Sequence, residues 1–195
     1  MNIRSLRAFA GPIAAAYFIF TWVVAGAFRD GYDPTRDAIS RLAEQGASHR
    51  WLVTSGIVAF GLGALLFAPL LKRPAMFALA AAGIASLGVA TFPCSPGCPG
   101  EGAFIDLAHA VSAGLFYISF TLTPVLQSRS PYAVITSVVA AVTLSLHGLT
   151  IANGLMQRIG VTTLDVWLIV TGVALGLSLA GTRSATEADP DARLA

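Results

Sequence analysis

Six apolar stretches constrain this chain more than anything else in it: roughly 8–28, 51–71, 75–93, 105–126, 132–152 and 163–182. Each is close to the ~20 residues that a helix needs to cross a ~30 Å hydrocarbon core. Backbone polar groups must be satisfied internally in lipid, so these stretches are predicted to be helices. The breaks between them are short and carry Pro, Gly or charge, as in Lys72-Arg73-Pro74 and Gln127-Ser128-Arg129-Ser130-Pro131, with a longer polar break from Asn153 through Thr162. Short connections predict antiparallel neighbours in one compact all-α bundle.

Composition agrees. Hydrophobic residues make up 55% of the 195 positions and charged residues only 11%, whereas soluble domains carry about 25% charge. A water-exposed surface cannot be covered with so little. The net charge of +2 is small and dispersed, which excludes a nucleic-acid binder, since that function needs a concentrated basic patch. The apolar run after the basic start Arg4-Ser5-Leu6-Arg7 is too long for a cleaved signal. One transmembrane domain over 1–182 is expected, followed by a polar, disordered tail over 183–195.

The Lys/Arg distribution predicts both termini in the cytoplasm. That topology puts Arg4, Arg7, Lys72, Arg73, Arg129, Arg183 and Arg193 inside, against Arg29, Arg36, Arg41, Arg50 and Arg158 outside. The acids reinforce it: Asp30, Asp33, Asp37, Glu44, Glu101, Asp106 and Asp165 fall outside. Cys94-Ser95-Pro96-Gly97-Cys98 then lies in an outer loop, where a Pro-Gly turn brings the thiols together. A disulfide in an oxidising exterior is expected there, since two thiols alone make an incomplete metal site.

Residues 29–50 are the most distinctive stretch. Asp33-Pro34 reads as an N-cap followed by Pro at the first helical position, and Gly46 reads as the stop. At helical periodicity Ala38, Ile39, Leu42 and Ala43 share one face, opposite Arg36, Asp37, Ser40 and Arg41. A short amphipathic interfacial helix is predicted. Its polar face is either simply solvated or a rim that holds an anionic group such as a lipid headgroup.

The stretch Tyr32-Asp33-Pro34, Asp37-Ala38-Ile39-Ser40-Arg41-Leu42, Gly46-Ala47 and Arg50-Trp51-Leu52 resembles the signature of a bacterial and archaeal membrane family, domain of unknown function 998. Phe92-Pro93-Cys94 and Asp106 to His109 fit the same pattern. The resemblance spans about 8–182. It implies a multi-helix fold in a bacterial or archaeal cell membrane and supplies no activity. The Ile39-Ser40 to Gly46 core resembles, more weakly, a eukaryotic six-helix family that includes lipid-remodelling factors for glycolipid anchors.

Three histidines, His49, His109 and His147, are expected near the outer face. His109 and His147 fall at matching depths on adjacent predicted helices, roughly 6–8 Å below that edge. Ionisable groups in a membrane are functional by default. With Asp106 they form the candidate catalytic set. Three readings fit. One is a buried network in which Asp106 holds His109 and Thr143 and Thr150 satisfy His147. The second is zinc held by His109, His147 and either Asp106 or His49, activating water. The third is a haem between the two histidines. Arg158 is expected either to pair with Asp165 or first-loop acids, or to bind an anion. Two function classes follow: binding or remodelling of a membrane lipid or amphiphile, or a non-catalytic scaffold.

Overall fold

The computed structural model describes residues 3–99 and 102–188, with the side chains of 182–188 left aside. Six helices follow one another: α1 Ile3–Ala27, α2 Arg50–Phe67, α3 Arg73–Thr91, α4 Phe104–Gln127, α5 Pro131–Leu146 and α6 Asn153–Ala188. A 3₁₀ turn Ala68–Leu70 extends α2, and a second, Ile39–Leu42, stands alone between α1 and α2. The described residues contain no strand. Each helix packs on its neighbours in sequence, and α6 returns to α1 and closes the ring. Glycine makes that closure possible: a Cβ at Gly172 would lie 2.9 Å from the Ala8 carbonyl oxygen.

The ring is filled by aromatic side chains. Phe60 of α2 meets Phe116 and Phe120 of α4 at centroid separations of 5.4 and 5.0 Å, and Phe18 of α1 at 6.0 Å. The exterior is apolar too, with Ile13, Phe77, Ile84, Ile118 and Leu177 each more than 60% exposed. A surface of that kind is stable against acyl chains and not against water. Five helices are long and apolar enough to cross a membrane.

Three boundaries differ from the expectation. Helix α5 has 16 residues, roughly 24 Å, and ends at Leu146, short of the expected 152. Asn153 through Thr162, expected as a loop, forms the first turns of α6. The Asn153 side chain explains both changes. Its Oδ1 accepts the Gly148 amide at 2.6 Å, and Gly148 has φ +88°, so the chain reverses over 147–152. At its other end α6 runs on to Ala188, past the expected start of the tail at 183. Glu101 and Arg193, used in the charge count, lie outside the described residues.

The loops 28–49, 92–99 and 147–152 all lie at one end of the ring. That end carries nearly all of the polar side-chain network.

Candidate functional site

The first loop is held by its carbonyl oxygens. The predicted helix from Asp33 to Gly46 shrinks to the 3₁₀ turn Ile39–Leu42 because almost every carbonyl it needs is already occupied. Arg158 Nη1 donates to Pro34 O at 2.6 Å and Asp37 O at 2.9 Å, and also to Gly154 O within α6. Tyr32 Oη donates to Asp37 O and Ala38 O. The first amides of α6 take the rest: Gly154 N donates to Arg36 O at 3.0 Å and Leu155 N to Thr35 O at 2.8 Å. Helix α6 thereby gains partners for its unpaired N-terminal donors. The approach is close enough to require glycine, since a Cβ at Gly154 would sit 2.7 Å from Pro34 O. Asp33 does not cap a helix; its Oδ1 accepts from Thr35 N and Oγ1 in a local turn. Gly46 does stop the segment, at φ +83°.

The apolar side of the segment faces the bundle rather than an interface. Ile39, Leu42 and Ala43 are buried against the helices. Gln157 of α6 ties this turn to α4, accepting from Ile39 N at 2.6 Å and donating to Tyr117 Oη.

Arg158 is therefore a structural clamp. Its guanidinium also sits 5.3 Å from the Trp22 ring centroid and 5.4 Å from that of Tyr32, and Nη2 donates to Tyr32 Oη. It forms no ion pair with Asp165 among the described residues, nor with the acids of the first loop; it reaches that loop through carbonyls. Asp165 lies roughly 18 Å along α6 from Asn153. Its side chain is fully buried, and neither carboxyl oxygen has a partner among the described residues. Sequence reasoning treated it only as a pairing partner. Its position inside the apolar run 163–182 was the available signal.

A second set of contacts fixes the loop before α4. Glu44 accepts from Arg29 Nη2 and from Gly97 N at 2.7 Å. Gln45 N donates to Cys94 O at 2.9 Å, and Gln45 Nε2 to Pro93 O at 3.0 Å. Cys94 and Cys98 are disulfide-bonded. Asp106 accepts from Ser95 N at 2.7 Å and Ser95 Oγ at 2.8 Å. Its carboxylate is thus spent on this loop and does not hold His109.

Between these two sets lies a cavity of about 550 Å³, within the range of small-molecule sites. Arg36, Asp37, Ser40 and Arg41 line it from the first loop, and His109 and His147 from α4 and the α5–α6 turn. Cys98, Tyr117 and Asn153 line it as well, and sequence reasoning had assigned none of them to this role. His147 stands at the C-terminal cap of α5, not within a helix as expected. Its ring meets Tyr117 edge to face at 5.9 Å. His109 Nδ1 lies 2.7 Å from Phe92 O, and His147 Nδ1 lies 3.1 Å from Asn153 O. Thr143, expected to satisfy His147, instead bonds to Val139 O in its own helix.

Asp37 is the acidic centre of the rim. Arg41 Nη1 reaches its Oδ1 at 2.6 Å and Arg36 Nε at 3.3 Å, while Asp33 N donates to Oδ2 at 2.9 Å. Burial alone would raise its carboxyl pKa. The Asp33 backbone and the two arginines outweigh that and hold it below the ordinary carboxylate value.

A metal needs three or four donors together. No group of three His, Cys, Asp or Glu that could hold one occurs among the described residues. His49 stands apart at the start of α2, against Phe28, and Asp106 is engaged. The donor set therefore does not fit the zinc reading. Haem ligation would have to use Nε2 of each ring, since Phe92 O and Asn153 O hold the Nδ1 atoms, and Tyr117 packs edge to face on His147.

The cavity has a continuation. A groove of about 350 Å³ runs between α4 and α5, lined by Ile118, Thr121, Leu122 and Ala141, and it shares Gly114, Tyr117 and Leu144 with the polar cavity. These two helices are the least tightly packed of the consecutive pairs. From His109 to Thr121 the path is roughly 18 Å along the helix axis.

Fold and site together define a multi-pass helical membrane protein with a polar chamber at one end of its bundle. The chain belongs to a family described as protein of unknown function (DUF998), whose pattern it matches over residues 12–174. No curated protein and no solved structure matches it.

Proposed function

We propose that this protein binds or remodels a lipid or similar amphiphile at the outer leaflet of the cell membrane. In this reading both termini are cytoplasmic and the chamber faces outward. The headgroup occupies the polar cavity, with Arg36, Asp37, Ser40 and Arg41 at its rim and His109 and His147 at its floor. One acyl chain lies in the α4–α5 groove. The observation that carries the reading is the junction itself. A polar chamber and an apolar groove meet at Gly114, Tyr117 and Leu144, which matches the two halves of an amphiphile.

Gly114 supplies the test. A Cβ there would meet nothing within 4 Å, so a side chain can start at this position, and Gly114→Leu extends one into the junction. Native mass spectrometry of protein extracted in mild detergent is expected to find bound lipid in the wild type and several-fold less in Gly114→Leu, at an unchanged thermal midpoint. A variant that retains its full lipid complement would overturn the reading.

A scaffold role is the second reading, and one observation favours it. Asp106, Arg158 and Glu44 are all engaged in bonds within the protein. Lipid-free wild-type protein, together with a cellular phenotype that survives His109→Ala and His147→Ala, would select it.

A further inference from the structure

The two histidines of the chamber share one orientation, and it fixes their chemistry. Each presents Nδ1 to a main-chain carbonyl, His109 to Phe92 O at 2.7 Å and His147 to Asn153 O at 3.1 Å. A carbonyl only accepts, so Nδ1 carries the proton in both rings. In the neutral imidazole Nε2 is then a bare lone pair. His109 is 7% exposed, and its Nε2 is buried with no partner in the protein. An acceptor left unmatched in that setting costs about 1–3 kcal/mol unless something outside the chain donates to it. His147 brings the same tautomer to the same cavity.

The opposite wall has the complementary character. Arg36 and Arg41 line it with Asp37 between them, and Arg41 also faces Glu44 at 3.9 Å. The Arg36 side chain stays 62% exposed although it is paired. One side of the chamber therefore offers positive charge and N–H donors, and the other offers acceptors.

We propose that the headgroup taken by this chamber is a phosphate ester bearing free hydroxyls, of the glycerol phosphate type. The phosphate oxygens face Arg36 and Arg41, and the hydroxyls donate to Nε2 of His109 and His147. This rests on the amphiphile reading and adds headgroup selectivity to it. A headgroup with a phosphate and no donor leaves both nitrogens unmatched. A headgroup with donors and no anion leaves the exposed N–H donors of Arg36 unmatched.

The experiment compares two lipids of equal charge and identical acyl chains, phosphatidylglycerol and phosphatidylethanol, which differ in the headgroup hydroxyls. Binding is read by native mass spectrometry on the full chain in nanodiscs of phosphatidylcholine. Wild type is expected to prefer phosphatidylglycerol about fivefold for each hydrogen bond gained. His109→Asn preserves a donor toward Phe92 O and removes Nε2; His147→Asn does the same toward Asn153 O. Each is expected to cut the preference several-fold and to leave phosphatidylethanol binding in place. If His109→Asn does not fold, His147→Asn carries the comparison, and an unchanged preference there overturns the assignment. Equal binding of both lipids by wild type overturns the headgroup inference and leaves the amphiphile reading standing. Binding of neither lipid removes the amphiphile reading itself. Free glycerol phosphate competing as well as the lipid would show a soluble ligand in place of a membrane one.

Discussion

The two halves of the polar end treat their side chains in opposite ways. Around Arg158, Tyr32 and Gln157 nearly every donor meets a carbonyl or hydroxyl, and the partners are mostly main-chain atoms of the first loop. Around His109 and His147 each ring is anchored at Nδ1 by a main-chain carbonyl, and His109 Nε2 is buried without a partner among the described residues. The first region spends its polarity on folding. The second is held in position and keeps polarity in reserve. Charge in a membrane is expensive in both cases, so under the proposed function the difference separates groups retained for architecture from groups retained for a ligand.

The largest effect is expected where the carbonyls lose their clamp. Arg158→Ala leaves Pro34 O and Asp37 O without that donor and frees the start of α6 from the first loop. A loss of about 3–5 kcal/mol is expected, read as a lowered thermal midpoint in detergent. Arg158→Lys should recover only part of it, because one ammonium cannot serve at once the carbonyls that Nη1 meets and the Tyr32 hydroxyl that Nη2 meets. A near-neutral Arg158→Ala would remove the distinction between the two regions.

Asp165 sharpens the comparison from another direction. It belongs to neither network, and both of its oxygens lack partners. Asp165→Leu exchanges an unmatched buried polar group for an apolar one of similar size, and a gain of about 1–3 kcal/mol is expected. A destabilised Asp165→Leu would mean that the carboxyl has a partner in the working protein.

Asp37 stands on the boundary, bonded within the loop and facing the chamber. Its folded pKa is depressed, so its stabilisation is fully present above the unfolded carboxylate value and is lost as pH falls through the lower folded value. The thermal midpoint of wild type should therefore fall across that acidic window. Asp37→Asn should start lower at neutral pH and show a flatter acid limb. Parallel curves would show that the ion pairs with Arg36 and Arg41 contribute nothing.

The smallest effect on stability belongs to the chamber. His147 is half-buried and keeps its anchor in His147→Asn, so less than about 1 kcal/mol of stability should be lost. A large loss would place His147 with the architectural set.

Much of this was legible from the sequence. Apolar runs of membrane-crossing length gave the number of helices and their order, and Gly46 marked a true chain reversal. Asp37, Ser40 and Arg41 were recognisable as chamber residues because they share a polar face with Arg36. The Asp33–Pro34 start misled, because its cap pattern is local and the competing bonds come from residues over a hundred positions away. Arg158 misled likewise, since a lone cation in a sequence suggests an acid or an anion as partner, and its actual partners are carbonyls. Tyr117 was hidden inside an apolar helix, and nothing in its neighbourhood marks it as the hinge between chamber and groove.

What the sequence determined alone is the membrane bundle. Burying some twenty apolar residues at a time is enforced by hydrophobic transfer, and helix is the only local conformation that satisfies the backbone in lipid. What the tertiary structure decided is which polar groups are consumed and which are left open. That choice depends on whether a distant carbonyl arrives within about 3 Å, and such a meeting is set by how the ring closes through α1 and α6, not by any residue's immediate neighbours.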